Sequence, residues 1–313
     1  KKFISFYGAY HGGVSGSIAV SHHSSQSHSP KKDGNVYLPY PNHYRSENKN
    51  NLGENILKKL DEIFDTTCNP KDVAAIFIEP IQSDGGVIVP PRGFMKSLEK
   101  KCREHGILIV VDEVKVGLGR SGLMHAFQHD NLEPDFITFG KFLGGGLPLS
   151  AVVGPKDLMD FTTAFSIMTT SGNPVSSSAG MAVLRTIEEE NLITNAKLIG
   201  DKLQESFRQL ANKHDLIGDV RGRGLAIGVE LVNDRHKNKK AAKTEAAKIV
   251  YRAYELGLVI FYVGMESNVL ELTPPLILNE HESKLGLEIL DQAITDVTNG
   301  LIPDSVIENY KGW

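Results

Sequence analysis

Ile107-Leu108-Ile109-Val110-Val111-Asp112-Glu113-Val114 decides the fold together with a later stretch, Phe136-Ile137-Thr138-Phe139-Gly140-Lys141-Phe142-Leu143-Gly144-Gly145-Gly146. Each opens as a short, largely apolar run, and each run closes on one ionisable residue: Asp112 in the first, Lys141 in the second. Runs of this length without alternation predict strands buried on both faces, as in a parallel sheet covered by helices. Set parallel and in one sheet, the two strands bring a carboxylate and an amine to the same rim. Open α/β sheets bind their ligands at that rim.

Outward from this pair the pattern repeats. Phe3-Ile4-Ser5-Phe6 and Val73 to Glu79 read as further buried strands, and Val36-Tyr37-Leu38-Pro39-Tyr40 as an edge strand, because proline interrupts a central ladder. Leu57, Leu60, Ile63 and Phe64 share one helical face, and Pro91 to Glu104 predicts a helix with Phe94, Leu98 and Cys102 inward, closed by His105-Gly106. Strand and helix alternate, which predicts a doubly wound, mostly parallel sheet with helices on both faces. Leu149 to Val153 reads as a strand, Lys156 to Phe161 as helical, and Thr169-Thr170-Ser171-Gly172-Asn173-Pro174 opens a helix running to about Glu190. Beyond residue 190 the character changes to a long charged helix (Leu192 to Lys213), a strand (Leu225 to Val232), a helix (Thr244 to Leu256), short strands at Val259 to Tyr262 and Val269 to Leu272, and a last amphipathic helix (Glu280 to Val297). The chain therefore divides into a large unit, 1–190, and a small α+β unit, 191–313.

Composition sets outer limits. The 313 residues are 41% hydrophobic and 23% charged, with a net charge of -4, which gives no electrostatic reason to bind nucleic acid or an anionic membrane. No stretch approaches the roughly 20 apolar residues of a membrane-spanning helix. Cys68 and Cys102 offer neither a disulfide framework nor metal spacing, so a reducing cytoplasm is the expected setting. His22, His23 and His28 lie in a serine-rich stretch (21–35) that reads as a polar loop, and no metal site is expected. Arg235 to Lys240 reads as a solvated basic loop.

A lysine that forms a Schiff base and an aspartate that holds a pyridinium nitrogen are what pyridoxal 5′-phosphate requires of a protein. The wording around them is specific: Ile78-Glu79-Pro80-Ile81-Gln82-Ser83-Asp84-Gly85-Gly86, then Asp112-Glu113-Val114 with Gly117-Leu118-Gly119-Arg120-Ser121-Gly122, then Glu133-Pro134-Asp135 and Gly140-Lys141. Over nearly its whole length the chain resembles the class III aminotransferases. These are fold-type I pyridoxal-phosphate enzymes that include 4-aminobutyrate and ornithine aminotransferases and some amino-acid racemases. The resemblance implies Lys141 as the Schiff-base residue and Asp112 at the ring nitrogen. It implies Tyr10, in Tyr10-His11-Gly12, on one ring face, Val114 on the other, and Gln82 at the phenolic oxygen. His11 and Glu79 fall within the implied cofactor-binding set. Thr169 would be a phosphate ligand donated to a second subunit, making a homodimer. Family members normally carry more than a hundred residues ahead of the point matching Lys1, including a loop that holds the phosphate, so that anchor is expected to be missing here.

Departures from the family pattern bear on the substrate. Relatives of 4-aminobutyrate aminotransferase carry arginine where this chain has Gly13, and a second arginine where Asn268-Val269-Leu270 is followed by Glu271. Arginine grips carboxylates bidentately. Asp84 stands where many relatives have glutamate, and Lys115 where glutamine is usual. The racemases and 2-epimerases related to isoleucine 2-epimerase share the Asp-Gly-Gly wording, Gly218 to Arg221 and a terminal Gly312-Trp313. In that branch the aspartate matching Asp84 is a second acid/base. The first expectation is amino-group transfer between an amino acid or amine and a 2-oxo acid, as in most of the family. The alternative is racemisation or 2-epimerisation of an apolar amino acid, using Lys141 and Asp84 on opposite faces. A third is a cofactor-free, truncated product that only dimerises.

Overall fold

The computed structural model describes residues 1–29, 34–164 and 167–308; Gly312 and Trp313 lie outside the described residues. One sheet is built from β1 (Lys2–Phe6), β2 (Val36–Leu38), β3 (Val73–Ile78), β4 (Leu108–Asp112), β5 (Phe136–Phe139) and β6 (Ala151–Val153), in the order β2-β1-β3-β4-β5-β6. All neighbours are parallel except β5 and β6, which pair antiparallel with Thr138 opposite Val152. The proline-bearing stretch does form an edge strand. The order reverses between β1 and β3, and at such a switch point the loops leaving adjacent strands diverge to opposite sides, leaving a crevice beyond their C-terminal ends.

Helices α1 (Leu52–Thr66) and α2 (Phe94–His105) cover this sheet. Leu60 of α1 and Met95, Leu98 and Cys102 of α2 pack with Ile4, Phe6, Ile76, Ile78, Ile109 and Val111 of the strands, all buried. Each such side chain contributes about 1.5–3 kcal/mol on full burial. Gly106 ends α2 in the left-handed region (φ 65°), with Arg103 and His105 in the last turn, where cations face the negative end of the helix. Strand β5 differs from the expectation of burial on both faces, since all four of its residues are only half-buried. Its neighbour β6 is the sheet's last strand and exposes Val152 and Val153.

Helix α3 (Pro174–Glu189) begins at the expected place, and Asn173 caps it by accepting the Ser176 N–H at 2.9 Å. Helix α4 (Leu192–Lys213) leads into a second, antiparallel sheet. Its strands are β7 (Ile217–Arg223), β8 (Ala226–Leu231), β9 (Phe261–Val263) and β10 (Val269–Leu272), ordered β7-β8-β10-β9. Ile199, Leu203 and Phe207 of α4, Ile249 of α5 (Lys243–Glu255) and Leu290 and Ile294 of α6 (Glu280–Thr298) bury against Ile227, Val229, Leu231 and Leu270. Gly200 of α4 faces the backbone of Gly224 so closely that a Cβ would collide with the Gly224 carbonyl. A smaller cluster, including Ile81, Val87, Val116, Val263 and Val269, packs residues of the two sheets' surroundings together. No helix among the described residues is long and apolar enough to cross a membrane.

Candidate active site

Beyond the ends of β1, β3, β4 and β5 a cavity of about 70 Å³ is lined by Tyr10, His11, Glu79, Asp84, Asp112, Val114, Lys115 and Lys141, among others. The parallel register that sets Asp112 opposite Thr138 leaves Lys141 three residues further along the neighbouring strand's exit. Lys141 starts a tight turn (Lys141–Gly144) with φ 43°, a left-handed conformation that is uncommon for a residue with a Cβ. It also lines a second cavity of about 990 Å³, with Arg120, Phe142, Ile187 and Leu276 in its walls. Lys141 thus connects a small polar recess to a large apolar one.

Asp112 is held from two sides. Its Oδ1 accepts the Val114 N–H at 3.0 Å and its Oδ2 lies 2.8 Å from His11 Nδ1. The His11 side chain is 4% exposed and that of Asp112 12%, so the pair interacts with little screening by water. Burial pulls the His11 pKa down, but hydrogen bonding and charge from Asp112, with the charge of Glu79, outweigh it, and the net shift is upward. For Asp112 burial pushes upward, yet His11, the Val114 N–H and Lys141 bring the carboxyl below its ordinary value. The two shifts agree in direction: each partner favours the charged form of the other. Beyond the pair, His11 Nε2 sits 3.5 Å from Ser5 Oγ, and its backbone N–H donates to Ser21 Oγ at 2.9 Å.

Glu79 is buried and accepts the Tyr10 N–H at 3.1 Å on Oε1 and the Ser83 N–H at 2.9 Å on Oε2. Burial pushes its pKa up to about 7 despite the nearby His11. Glu113 is pushed to the same value by burial while it accepts the N–H groups of Ala126 and Phe127.

Asp84 is not solitary. Its Oδ1 lies 2.5 Å from Lys115 Nζ, and the same ammonium lies 2.8 Å from Glu271 Oε1 on β10. Ser83 Oγ donates to that Glu271 oxygen at 3.1 Å. Burial lowers the Lys115 pKa, but Glu271 and Asp84 together raise it further, and the net direction is up. The turn carrying Asp84 is shaped by Gly86 at φ 126° and is gripped from β7 by Arg221, whose Nη2 donates to the Gly86 carbonyl at 2.6 Å.

Two expected residues are not brought to the cavity. Gln82 turns away: its Nε2 donates to the Tyr7 carbonyl at 3.0 Å, and its side chain lines a separate pocket with Tyr40 and Arg45. Gln82, expected at a phenolic oxygen, thus does not line the cavity that holds Asp112 and Lys141. Thr169 lies exposed in the turn before α3, in the wall of neither cavity. Within the serine- and histidine-rich stretch, Ser21, His23 and Gln26 are buried, against the expectation of a solvated loop. His23 is 1% exposed, with its ring 6.1 Å from that of Tyr10, and Gln26 Nε2 donates to the Gly12 carbonyl at 2.7 Å. In the sequence Lys115 and Glu271 stand out only as departures from a pattern. Their opposite changes of charge were the available signal that they meet. Among the described residues no group of His, Cys, Asp and Glu has the arrangement of a metal site.

The family model described as Aminotransferase class-III matches residues 1–294. A leucine/methionine racemase of Thermococcus litoralis is 42% identical over 281 residues, covering 88% of this chain and 63% of its own length. An alanine/serine racemase of Pyrococcus horikoshii is 39% identical over 315 residues, covering 97% of this chain and 66% of its own. The chain thus spans about two thirds of the length of these relatives. Among solved structures, an amine transaminase from an uncultivated Pseudomonas species, determined in a PLP-bound form, superposes with a TM-score of 0.87 at 29% identity, covering 94% of this chain and 69% of that one.

Proposed function

Because the chain belongs to the class III aminotransferase family, we propose that its rim cavity binds pyridoxal 5′-phosphate and exchanges the Cα proton of an apolar amino acid, so that the protein is a racemase or 2-epimerase. The observation that carries this reading is that Asp84 and Lys141 line one cavity with Asp112. Two proton carriers are what inversion at Cα requires, whereas amino transfer needs only one.

The donor set fits the ring end of the cofactor. Lys141 supplies the amine, and Asp112, held ionised by His11, supplies the carboxylate for a ring nitrogen. Tyr10 and Val114 supply side chains at the cavity wall. Thr169, exposed ahead of α3, is kept as a phosphate ligand for a second copy of the chain. When bound, the cofactor supplies the carbonyl that takes up the substrate amine and the electron sink that acidifies Cα–H. Lys141 would take the Cα proton from one side. Asp84 returns or removes it on the side that Lys141 does not reach.

Amino transfer to a 2-oxo acid is the second reading, supported by the fold it shares with the amine transaminase. The assay is formation of D-amino acid against consumption of 2-oxo acid by the cofactor-loaded protein. Asp84→Ala should abolish deuterium incorporation from one enantiomer and spare the other. Rapid consumption of 2-oxoglutarate with any amine donor, without D-amino acid, would decide for transfer.

A further inference from the structure

The Asp84–Lys115–Glu271 bridge joins three distant parts of the chain: the turn after β3, the loop after β4 and strand β10 of the second sheet. The side chains are 8%, 16% and 6% exposed, so the bridge is largely out of water. An ammonium shared between two carboxylates leaves a surplus negative charge that repels a third. For a substrate carboxylate to use Lys115, it would have to displace a buried one and leave that group desolvated without a partner, which is strongly unfavourable.

Other charges nearby do not reverse the sign: His11 is paired with Asp112, and Lys141 is the amine reserved for the cofactor in the proposed function. Glu79 adds a further carboxyl to the cavity, and His23, which senses both Asp84 and Lys115, has its pKa lowered first by burial and is neutral at pH 7. Among the described residues Arg120 is the one arginine lining either of the two cavities that Lys141 connects. Its Nη1 donates to the carbonyls of Leu225 and Pro274 and its guanidinium lies 4.9 Å from the Phe142 ring centroid, but its buried Nε has no hydrogen-bond partner. That leaves one anchor for the α-carboxylate that every amino acid carries and none for a second.

We propose that Glu271, held beside Asp84 by their shared Lys115 ammonium, is a specificity-determining residue whose surplus negative charge closes the site to amino acids with an acidic side chain and reserves it for those with uncharged ones. The proposal rests on the reading of the cavity as an amino-acid site, but not on which reaction follows. The test compares L-norvaline with L-glutamate, which have similar reach and differ by the second carboxylate. Their dissociation constants are measured by calorimetry on the full-length protein, with the cofactor reduced onto it and without it, and kcat/KM for Cα–H exchange is measured on the active form.

Wild type should favour norvaline at least tenfold in both readouts. The double variant Lys115→Gln/Glu271→Arg, which leaves one carboxylate and one guanidinium, should shift the ratio toward glutamate at least tenfold. Glu271→Gln, which keeps the Lys115–Asp84 pair and is a milder change for folding, should shift it part of the way. Equal binding of the two amino acids by wild type would overturn the proposal, as would folded variants whose ratio does not move. Failure of every protein to bind either amino acid would overturn it as well. If the enzyme transfers amino groups instead of inverting Cα, the binding ratio still decides the role of Glu271.

Discussion

Asp112→Asn removes one charge from a buried pair while nearly preserving its shape. His11 stays where it is, 4% exposed, with Glu79 as the nearest remaining carboxyl. A hydrogen bond to a charged group contributes about 1.5–3 kcal/mol, which corresponds to roughly 1–2 pH units at 1.36 kcal/mol per unit. With Asp112 neutralised, burial is opposed only by Glu79, so the His11 pKa should drop from above its ordinary 6.5 to below it. The stability consequence has two signs. Asp112, depressed in the fold, contributes stability that is present above its unfolded value of 3.8 and lost as pH falls through the folded one. His11, raised in the fold, contributes stability present below 6.5 and lost as pH rises through its folded value. Asp112→Asn should therefore cost about 1.5–3 kcal/mol between roughly pH 4 and 6.5, and less at pH 9. Ring nitrogen shifts of His11 across pH 5–9, with urea unfolding at pH 5.5 and 9, measure both effects. The reasoning is refuted if His11 titrates identically in the two proteins or if the cost is the same at both pH values. In the cofactor-loaded protein the variant should also lose turnover by orders of magnitude; a near-normal rate would remove Asp112 from the ring nitrogen.

Borohydride reduction of the loaded protein followed by peptide mapping should place the label on Lys141, and a label on Lys115 would sink that assignment. Glu79, whose pKa rises from 4.5 to about 7, destabilises the fold as pH climbs through that window, by about 3 kcal/mol at 1.36 kcal/mol per unit. Glu79→Gln should flatten the stability profile between pH 4.5 and 7, and an unchanged slope in urea titrations would show that burial is not the cause. Gly200→Ala pushes a methyl into the Gly224 carbonyl and should cost about 1–3 kcal/mol by overpacking. A variant melting at the wild-type temperature would mean that α4 can slide freely on that loop.

What was legible in the sequence followed from periodicity and punctuation. The apolar runs at β3 and β4 read as strands because nothing in them alternates, and Leu192–Lys213 was bounded by its own helical stripe. The Asp112–Lys141 pairing needed only the assumption that parallel strands share a rim. Strand β7 was not legible. Its run of glycine, aspartate and arginine has little intrinsic strand preference, and it is extended because β8 pairs with it along nearly its full length. The burial of His23 and Gln26 depended on contacts with Tyr10 and Gly12 that local polarity does not reveal. Motif position places Gln82 near the rim, while the direction of its side chain depends on which carbonyl is within reach, here that of Tyr7. The Lys115–Glu271 pair lies across two sheets, and only the fold brings it together.

Lys141 carries its amine on a backbone with φ 43°. For an L-residue that region costs roughly 1–2 kcal/mol relative to the right-handed one. Glycine or asparagine would sit there more comfortably. Directed evolution scored only on heat resistance or expression would thus be rewarded for discarding this lysine, and under the role proposed for it libraries screened that way should return inactive, better-folded proteins changed at position 141. A selection that also demands catalysis would hold the lysine in place and drive its stabilising changes elsewhere.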